Sequence, residues 1–436
     1  MGVIDAFFVV VGATVLIVIV GRLFMVPWGI AFEVRWWRRR RERGRSVTDG
    51  TIFDEPPLVS IVVPGYNESI VIANCVRSIV RSDYEHYEAI CVDDGSSDDT
   101  YARMRELVEE LPRVRAITKP NGGKGSALNA GIAEAQGSVV MMVDADGVFG
   151  PDTISGMLAS FDDERIGAVC GNDRPVNLDR VQTRFLSLIS HLGTGLMRRA
   201  MDQMHCLPIV SGNIGAFRRD VLDLTGPLDE YTVGEDLELT WRVYKAGYRI
   251  AFAPHSLVYA ESPSTPRGLW TQRVRWARGQ LQTTAMHPKL IGNPRYGSFG
   301  PYLAFNFFTQ LIVPVLQIVV LVVLVVLAAT GEFSRMPTTF WVLVLFFGLP
   351  LALLLLLLAV AVNGAWGDLR FAWTLPLWPL YSVMLSCAML WAMWLELTKA
   401  ENRWNKLERT GVVSVAVDED AGSGARALPQ TSTLTR

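Results

Sequence analysis

The chain has 436 residues, 50% of them apolar, with 41 basic and 43 acidic side chains and a formal net charge of −2. A charge so near zero carries no electrostatic footprint for nucleic acid, so no nucleic-acid partner is expected. Five cysteines, Cys75, Cys91, Cys170, Cys206 and Cys387, show no paired spacing. That argues against a disulfide framework or a zinc site and fits a reducing compartment.

In chain order, Ile4 to Val26 is apolar apart from Asp5 and Arg22. It is long enough to cross a hydrocarbon core of about 20 residues. No basic segment precedes it and its apolar core is too long for a signal peptide, so residues 1–28 read as an uncleaved transmembrane helix. Arg35, Trp36, Trp37 and Arg38 to Arg41 follow, then Arg43 and Arg45. Arginines beside a span mark the cytoplasmic side, paired tryptophans suit the interface, and the cluster also suits anionic headgroups. Residues 29–57 are therefore expected to be a basic cytoplasmic linker, closing on Glu55-Pro56-Pro57.

Leu58 to Pro64 is a β-branched run stopped by proline, which predicts a buried strand. Ser69 to Arg81 has helical periodicity, Ala89 to Val92 reads as a strand ending in Asp93-Asp94-Gly95, and Thr100 to Leu111 as a helix. Val114 to Thr118 is a third strand, Lys124 to Gln136 a helix, and Val139 to Val143 a fourth strand ending in Asp144-Ala145-Asp146. Strand and helix alternate with short loops, which predicts an open, mostly parallel sheet flanked by helices. Ligands of such sheets bind at the carboxyl ends of the strands, where these acidic residues fall.

Further on, Pro208 to Ser211 is strand-like, Glu235 to Ala246 helical and Arg249 to Ala253 a strand. A cytoplasmic domain over residues 58–264 is expected. Phe185 to Met204 and Gly268 to Thr284 read as interfacial helices under the membrane, the second within an interfacial region over 265–300. For the first, packing inside the domain stays open. Phe305 to Ala329, Phe340 to Val362 and Phe371 to Leu395 give about three spans within 301–398. Three spans would leave the C-terminus outside, yet Arg403 to Arg409 resembles a cytoplasmic flank. Pro376 and Pro379 interrupt the last segment, so the count stays open. The tail, 399–436, is expected to be partly disordered.

An activated sugar dictates what the acidic residues can do. Its nucleotide diphosphate needs a divalent ion or cationic groups, and Mg²⁺ is held by one or two carboxylates plus phosphate oxygens. Asp144 and Asp146, two apart in an extended segment, would face the same way and address one diphosphate and its ion. Asp94 could accept from a base or ribose, though Asp93-Asp94-Gly95-Ser96 also suits a turn or helix cap. Pro64, Tyr66, Asn67 and Glu68 follow the first strand and could line the same pocket. Lys124, after Asn121-Gly122-Gly123, could be a charge partner of the nucleotide; a solvated lysine is the alternative. Asp236, with Glu235 beside it, opens a helix and is the best candidate for the base that takes an acceptor proton. Acidic placement at a helix N-terminus explains the pair equally simply. Gln272, Arg275 and Trp276 complete a Q-x-x-R-W pentad, in which Arg275 can fork onto phosphate oxygens and Trp276 offer a platform to a sugar ring.

The ordered set V-P-G-Y-N-E, D-D-G-S, D-A-D, G-E-D and Q-R-V-R-W resembles the processive family 2 glycosyltransferases, the inverting membrane synthases of cellulose, hyaluronan, chitin oligosaccharides and poly-β-1,6-N-acetylglucosamine. The likeness covers roughly residues 58–290. In texture the run from Ser211 through Arg219, Glu235-Asp236-Leu237 and Leu269-Trp270 into the pentad reads most like the poly-N-acetylglucosamine synthases. The resemblance implies a GT-A fold, with Asp94 contacting uridine, Asp144 contacting UDP, and Asp146, with Asp144, holding Mg²⁺ or Mn²⁺. It makes Asp236 the general base and closes Gln272, Arg275 and Trp276 over the diphosphate and the acceptor end. Ser211, Gly212 and Asn213 look like the acceptor-side loop. The implied partners are a UDP-sugar, a growing polysaccharide, the lipid bilayer and, in addition, a small accessory membrane subunit. The implied location is the plasma (inner) membrane, multi-pass. Two departures are Gly234 in place of a common Thr, and one preceding span where two are usual. A non-processive transferase acting on a lipid, a hyaluronan- or cellulose-type synthase with another donor, and an inactive scaffold are the competing readings.

Overall fold

The computed structural model describes residues 3–42, 48–332, 348–401 and 411. They belong to two compact units. One comprises Arg39–Ser187, Leu207–Gln272 and Glu401–Arg436, the other Met1–Arg38, Leu188–Cys206 and Arg273–Ala400.

The first unit is built on an eight-stranded sheet in the order β3-β2-β1-β4-β7-β6-β8-β5. Strands β1 (Val59–Gly65), β2 (Tyr87–Asp93), β3 (Val114–Thr118) and β4 (Val139–Met142) run parallel. Their side chains are almost wholly buried except along β3, the edge strand. A parallel sheet covered on both faces favours such continuous β-branched runs. Strand β1 continues through Pro64, where a stop was expected. Its pairing with β4 ends at Val62, so the missing N–H of Pro64 lies where β1 has a neighbour on one side only. Helices α2 (Ile72–Val80), α3 (Thr100–Glu110) and α4 (Lys124–Glu134) alternate with these strands.

The rest of the sheet is mixed. Strand β7 (Gly215–Arg218) is antiparallel to β4 and to β6 (Ile166–Pro175), β6 is parallel to β8 (Arg249–Ala260), and β5 (Val148–Phe149) closes the far edge. The strand expected over Pro208 to Ser211 does not form. Pro208 has no donor, the Val210 N–H donates to Thr240 Oγ1 at 2.9 Å, and the ladder starts at Gly215 instead. Helix α5 (Thr153–Leu158) precedes β6, and α6 (Val181–Ser190) follows it. After α6 the backbone widens into a π-helical stretch, His191–Met197, before α7 (Arg198–Gln203). Helix α8 (Arg219–Thr225) leads towards α9 (Glu235–Lys245).

Among the described residues three helices are long and apolar enough to cross a membrane: Phe7–Arg39, Phe299–Ala329 and Trp366–Leu397. The first belongs to α1, which runs Val3–Glu42 through Pro27. At 1.5 Å per residue, 40 residues reach about 60 Å, twice a hydrocarbon core. The basic, Trp-bearing end is therefore part of one helix longer than a membrane's apolar layer, where a linker was expected. The span expected over Phe340 to Val362 lies partly outside the described residues; its described part is a 14-residue apolar helix, Leu349–Val362. In the last segment the two prolines act as expected. Trp366–Leu377, with Pro376 inside, is 3₁₀, and the α-helix begins at Trp378 with Pro379 in its first turn. Gln317 bonds Ser382 and Ser386 across two apolar helices, which satisfies three polar side chains among apolar neighbours. Arg199, 1% exposed, is held by Glu33 at 3.0 Å and Asn363 at 2.9 Å. Arg403 to Arg409 and the tail after Val417 fall outside the described residues.

Candidate functional site

Strand β2 ends in two buried carboxylates with different partners. Asp93 accepts from the Ser96 N–H at 3.2 Å and from Thr118 Oγ1 at 2.8 Å, tying β2 to β3. Asp94 is 0% exposed and accepts from Lys119 Nζ at 2.8 Å and from the N–H groups of Gly122 and Gly123 at 3.0 and 2.8 Å. The loop from Lys119 to Gly123 thus wraps around Asp94. The expected uridine contact lies beneath that loop. Lys119 was not singled out in the sequence, although it directly follows the carboxyl end of β3, where the sheet rule points.

The wrapped loop delivers Lys124 to the first position of α4. Gly123 precedes it at φ +88°, a left-handed conformation that excludes ordinary side chains. Gly125 follows, where a β-carbon would come within 2.9 Å of the Asp229 carbonyl oxygen. Asn129, one turn on, donates to Leu228 O at 3.0 Å and to Glu230 at 2.9 Å, and accepts from the Leu228 N–H at 2.8 Å. Helix α4 is therefore clasped to the segment that leads into α9, which opens on Glu235 and Asp236.

Three expected site residues meet here. Lys124 Nζ lies 2.6 Å from Asp144 Oδ1 and 3.4 Å from Glu235 Oε1. Asp236 Oδ2 accepts from the Gly212 N–H at 3.0 Å and Oδ1 from the Leu237 N–H at 2.8 Å. Gly212, with Ser211 and Asn213 either side, packs so closely that a β-carbon there would sit 2.7 Å from Lys124 Nζ. Burial opposes the Lys124 charge, but Asp144, Glu235 and Asp236 outweigh it, and its pKa is raised. Lys124 is thus a largely buried ammonium, its side chain 13% exposed, shared between carboxylates and not a solvated surface lysine.

Asp144 and Asp146 do not lie in the extended segment expected of them. Strand β4 ends at Met142, and the Gly147 N–H closes a turn onto Asp144 O at 2.9 Å. Asp, Gly and the short side chain between them favour this turn. The Asp144 side chain is 26% exposed, while Asp146 is buried. Among the described residues no three His, Cys, Asp or Glu side chains gather as a ready-made cage. Mg²⁺ needs none, since one or two carboxylates and substrate phosphates suffice. A cation already stands against Asp144 in the form of Lys124, so this carboxylate fits a positive ligand.

Pro64 is buried in β1, and Tyr66 is half-buried just beyond it. Asn67 adopts φ +56°, and its Oδ1 accepts from the Ser97 N–H at 2.8 Å and the Asp98 N–H at 3.3 Å. The Glu68 N–H donates to Thr100 Oγ1 at 2.7 Å. These bonds fix the loop after β1 to the loop after β2. Gln272, Arg275 and Trp276 lie on α10 (Pro266–Met286), Gln272 in the α/β unit and the other two in the helical unit. Trp276 is half exposed, with the Arg273 guanidinium 4.1 Å from its ring centroid. Arg278 is engaged by Glu396 at 2.6 Å. Burial pushes the Cys75 thiol well up and Cys91 to about 12, which disfavours the thiolate in both.

The fold sets this carboxylate–lysine cluster at the carboxyl side of the parallel strands, where α/β enzymes bind their ligands. Residues 56–279, just over half of the chain, match the family described as Glycosyltransferase like family 2. The chain belongs to glycosyltransferase family 2. It is 35% identical over 235 residues to the probable glycosyltransferase YdaM of Bacillus subtilis, covering 52% of this chain and 56% of that one. It is 33% identical over 232 residues to the poly-beta-1,6-N-acetyl-D-glucosamine synthase of Staphylococcus aureus, covering 52% and 55%. The alignments thus span about half the length of these curated relatives. A solved mannosyltransferase from Pyrobaculum calidifontis, in complex with GDP-Man and Mn²⁺, superposes with a TM-score of 0.58 at 21% identity, over 87% of this chain and 99% of that one. That likeness establishes the GT-A fold.

Proposed function

We propose that the protein is an inverting glycosyltransferase that moves a hexose, with N-acetylglucosamine the favoured unit, from UDP to the growing end of a polysaccharide and passes the product across the membrane. The observation that carries this reading is the meeting of Lys124, Asp144, Glu235 and the Gly212–Asp236 pair at the carboxyl side of the parallel strands. The poly-N-acetylglucosamine synthase relative supports the sugar, and the apolar helices support the membrane. The arginine-rich end of α1 supports a cytoplasmic catalytic unit at the plasma membrane, organised as residues 1–28 anchor, 58–264 catalytic domain and 301–398 spans.

In this reading Asp236 is the base. Two backbone N–H groups hold its carboxylate in place at the start of α9. It takes the acceptor hydroxyl proton as that oxygen bonds to the anomeric carbon and the carbon–phosphate oxygen bond breaks from the opposite face. Lys124 supplies positive charge to the departing diphosphate, aided by Arg275. Asp144 and Asp146 would hold Mg²⁺ or Mn²⁺, which neutralises charge on the diphosphate when bound. Ser211, Gly212 and Asn213 line the acceptor side, Trp276 stacks the terminal sugar, and Pro64, Tyr66, Asn67, Glu68 and Gln272 surround the nucleotide, with the loop that Asp94 holds beneath it.

The test offers radiolabelled UDP-N-acetylglucosamine, UDP-glucose and UDP-glucuronic acid, singly and together, to the purified protein in lipid with Mg²⁺ or Mn²⁺, and sizes the product. A high-molecular-weight product from UDP-N-acetylglucosamine alone is expected. A short, lipid-extractable product would replace the polymer reading with a lipid transferase, and no turnover of any donor would overturn both.

A further inference from the structure

We propose that Lys124 is a built-in counter-cation that keeps divalent metal off Asp144 until a nucleoside diphosphate is present, so that metal and donor enter as one ligand. The inference rests on the reading of this cluster as the donor site.

Three observations carry it. The first is place: the Lys124 ammonium lies 2.6 Å from Asp144 Oδ1, at the position a cation ligated by that carboxylate would take, and 3.4 Å from Glu235. The second is fit. The Gly212 backbone is bare beneath the ammonium, and a β-carbon there would come within 2.7 Å of Nζ and 3.2 Å of Asp236 Oδ2. The third is anchorage. Helix α4 is clasped just before its start, by Gly122 and Gly123 to Asp94, and at its middle, by Asn129 to Leu228 and Glu230, so the lysine's root is fixed while its four-carbon stem can swing.

The consequence is thermodynamic. A metal ion arriving alone must expel the ammonium from Asp144, its nearest acceptor, and leave it to Glu235 in a largely buried place, beside a second cation, which is costly. A metal arriving with a diphosphate brings anionic oxygens for the displaced ammonium. The two ligands are therefore coupled, and each raises the other's affinity by the same factor. The carboxylates receive one cation in exchange for another, and no charge is left unpaired at either stage.

The experiment measures Mn²⁺ binding, not turnover, on the full chain in lipid nanodiscs, by the loss of the free-ion EPR signal. UDP is present or absent, with the Mn²⁺–UDP complex in solution subtracted. Wild-type protein is expected to bind Mn²⁺ at least about tenfold more tightly with UDP, and Lys124→Met to bind Mn²⁺ alone at least about tenfold more tightly than wild type, given the Coulomb term removed. Lys124→Gln serves as a second neutral variant should the first fail to fold. Adding Asp144→Asn to either must erase the gain. Equal Mn²⁺ affinity with and without UDP in wild type, no gain in the neutral variants, or a gain that survives Asp144→Asn each overturns the inference. Sugar transfer measured on the same wild-type sample reads the proposed function separately, and a protein that transfers sugar but fails the Mn²⁺ test loses only this inference.

Discussion

Strands β2 and β4 flank β1, and just past each a carboxylate meets a lysine, yet the two pairs are opposites in construction. Asp94 is sealed: it is fully buried and accepts from Lys119 and two backbone N–H groups. Asp144 is open: its side chain is a quarter exposed, and a single ammonium meets it at 2.6 Å. A carboxylate can accept about four hydrogen bonds, so Asp94 has little capacity left for a ligand. Sealed pairs hold a loop in shape, while open pairs can exchange a partner. The difference separates scaffolding from chemistry in one cluster of loops.

The largest effect should come from the open side. Asp236→Asn should lower transfer about 10³-fold, within the usual range for a lost general base, while UDP binding by calorimetry stays within about twofold of wild type. Equal loss of both would make Asp236 a structural residue. Next, Asp144→Asn should weaken metal-dependent UDP binding about 10- to 100-fold, as loss of a ligand or its close support does at metal sites, with little effect in chelator. Asp146→Ala should weaken it in the same direction, and normal binding in either variant would move the metal elsewhere.

On the sealed side the effect should be on stability. Lys119→Met leaves Asp94 buried with only its two amide donors, at a cost of about 2–3 kcal/mol, below the full figure for a broken buried pair because Lys119 itself is partly exposed. Thermal unfolding followed by intrinsic fluorescence reads this as a fall in Tm. A fall in Mn²⁺ affinity without a fall in Tm would show that the two pairs are not separate devices.

Much of the parallel half of the sheet was legible because burial on both faces demands unbroken β-branched runs. Val114–Thr118 emerges with the predicted bounds, and α9 starts at Glu235 as read. The mixed half was not. Strand β6 carries Gly167, Gly171, Asn172 and Asp173, which dilute the apolar signal, and its burial is set by β7 and β8 beside it. The Pro208 run looked like a strand because its residues are apolar, but its backbone bonds to side chains. Asp94 and Asp144 were expected just past strands, and Glu235 and Asp236 at the start of a helix, and the structure places them so. The bond between Lys124 and Glu235 was not, since it depends on the Asn129 clasp that brings distant segments together. The turn at Asp144–Gly147 likewise replaces the extended geometry that the spacing alone suggested.

The smallest effect tests how the sealed pair delivers the open one. Gly123 stands between them: its N–H bonds Asp94, and its carbonyl starts α4 by accepting from the Ala127 N–H at 3.0 Å. Its backbone, φ +88° and ψ 170°, lies in a region open essentially to glycine alone. No atom lies within 4 Å of where a β-carbon would be, so Gly123→Ala would meet backbone strain and no clash. The expected cost is about 1–2 kcal/mol. If the loop resists, that cost appears wholly as a lower Tm with unchanged Mn²⁺ and UDP affinities. If the loop yields, Lys124 loses its fixed root, and Mn²⁺ alone should bind more tightly, as in Lys124→Met but by less. The first outcome makes the Asp94 loop a rigid mount for Lys124, and the second makes it part of the exchange.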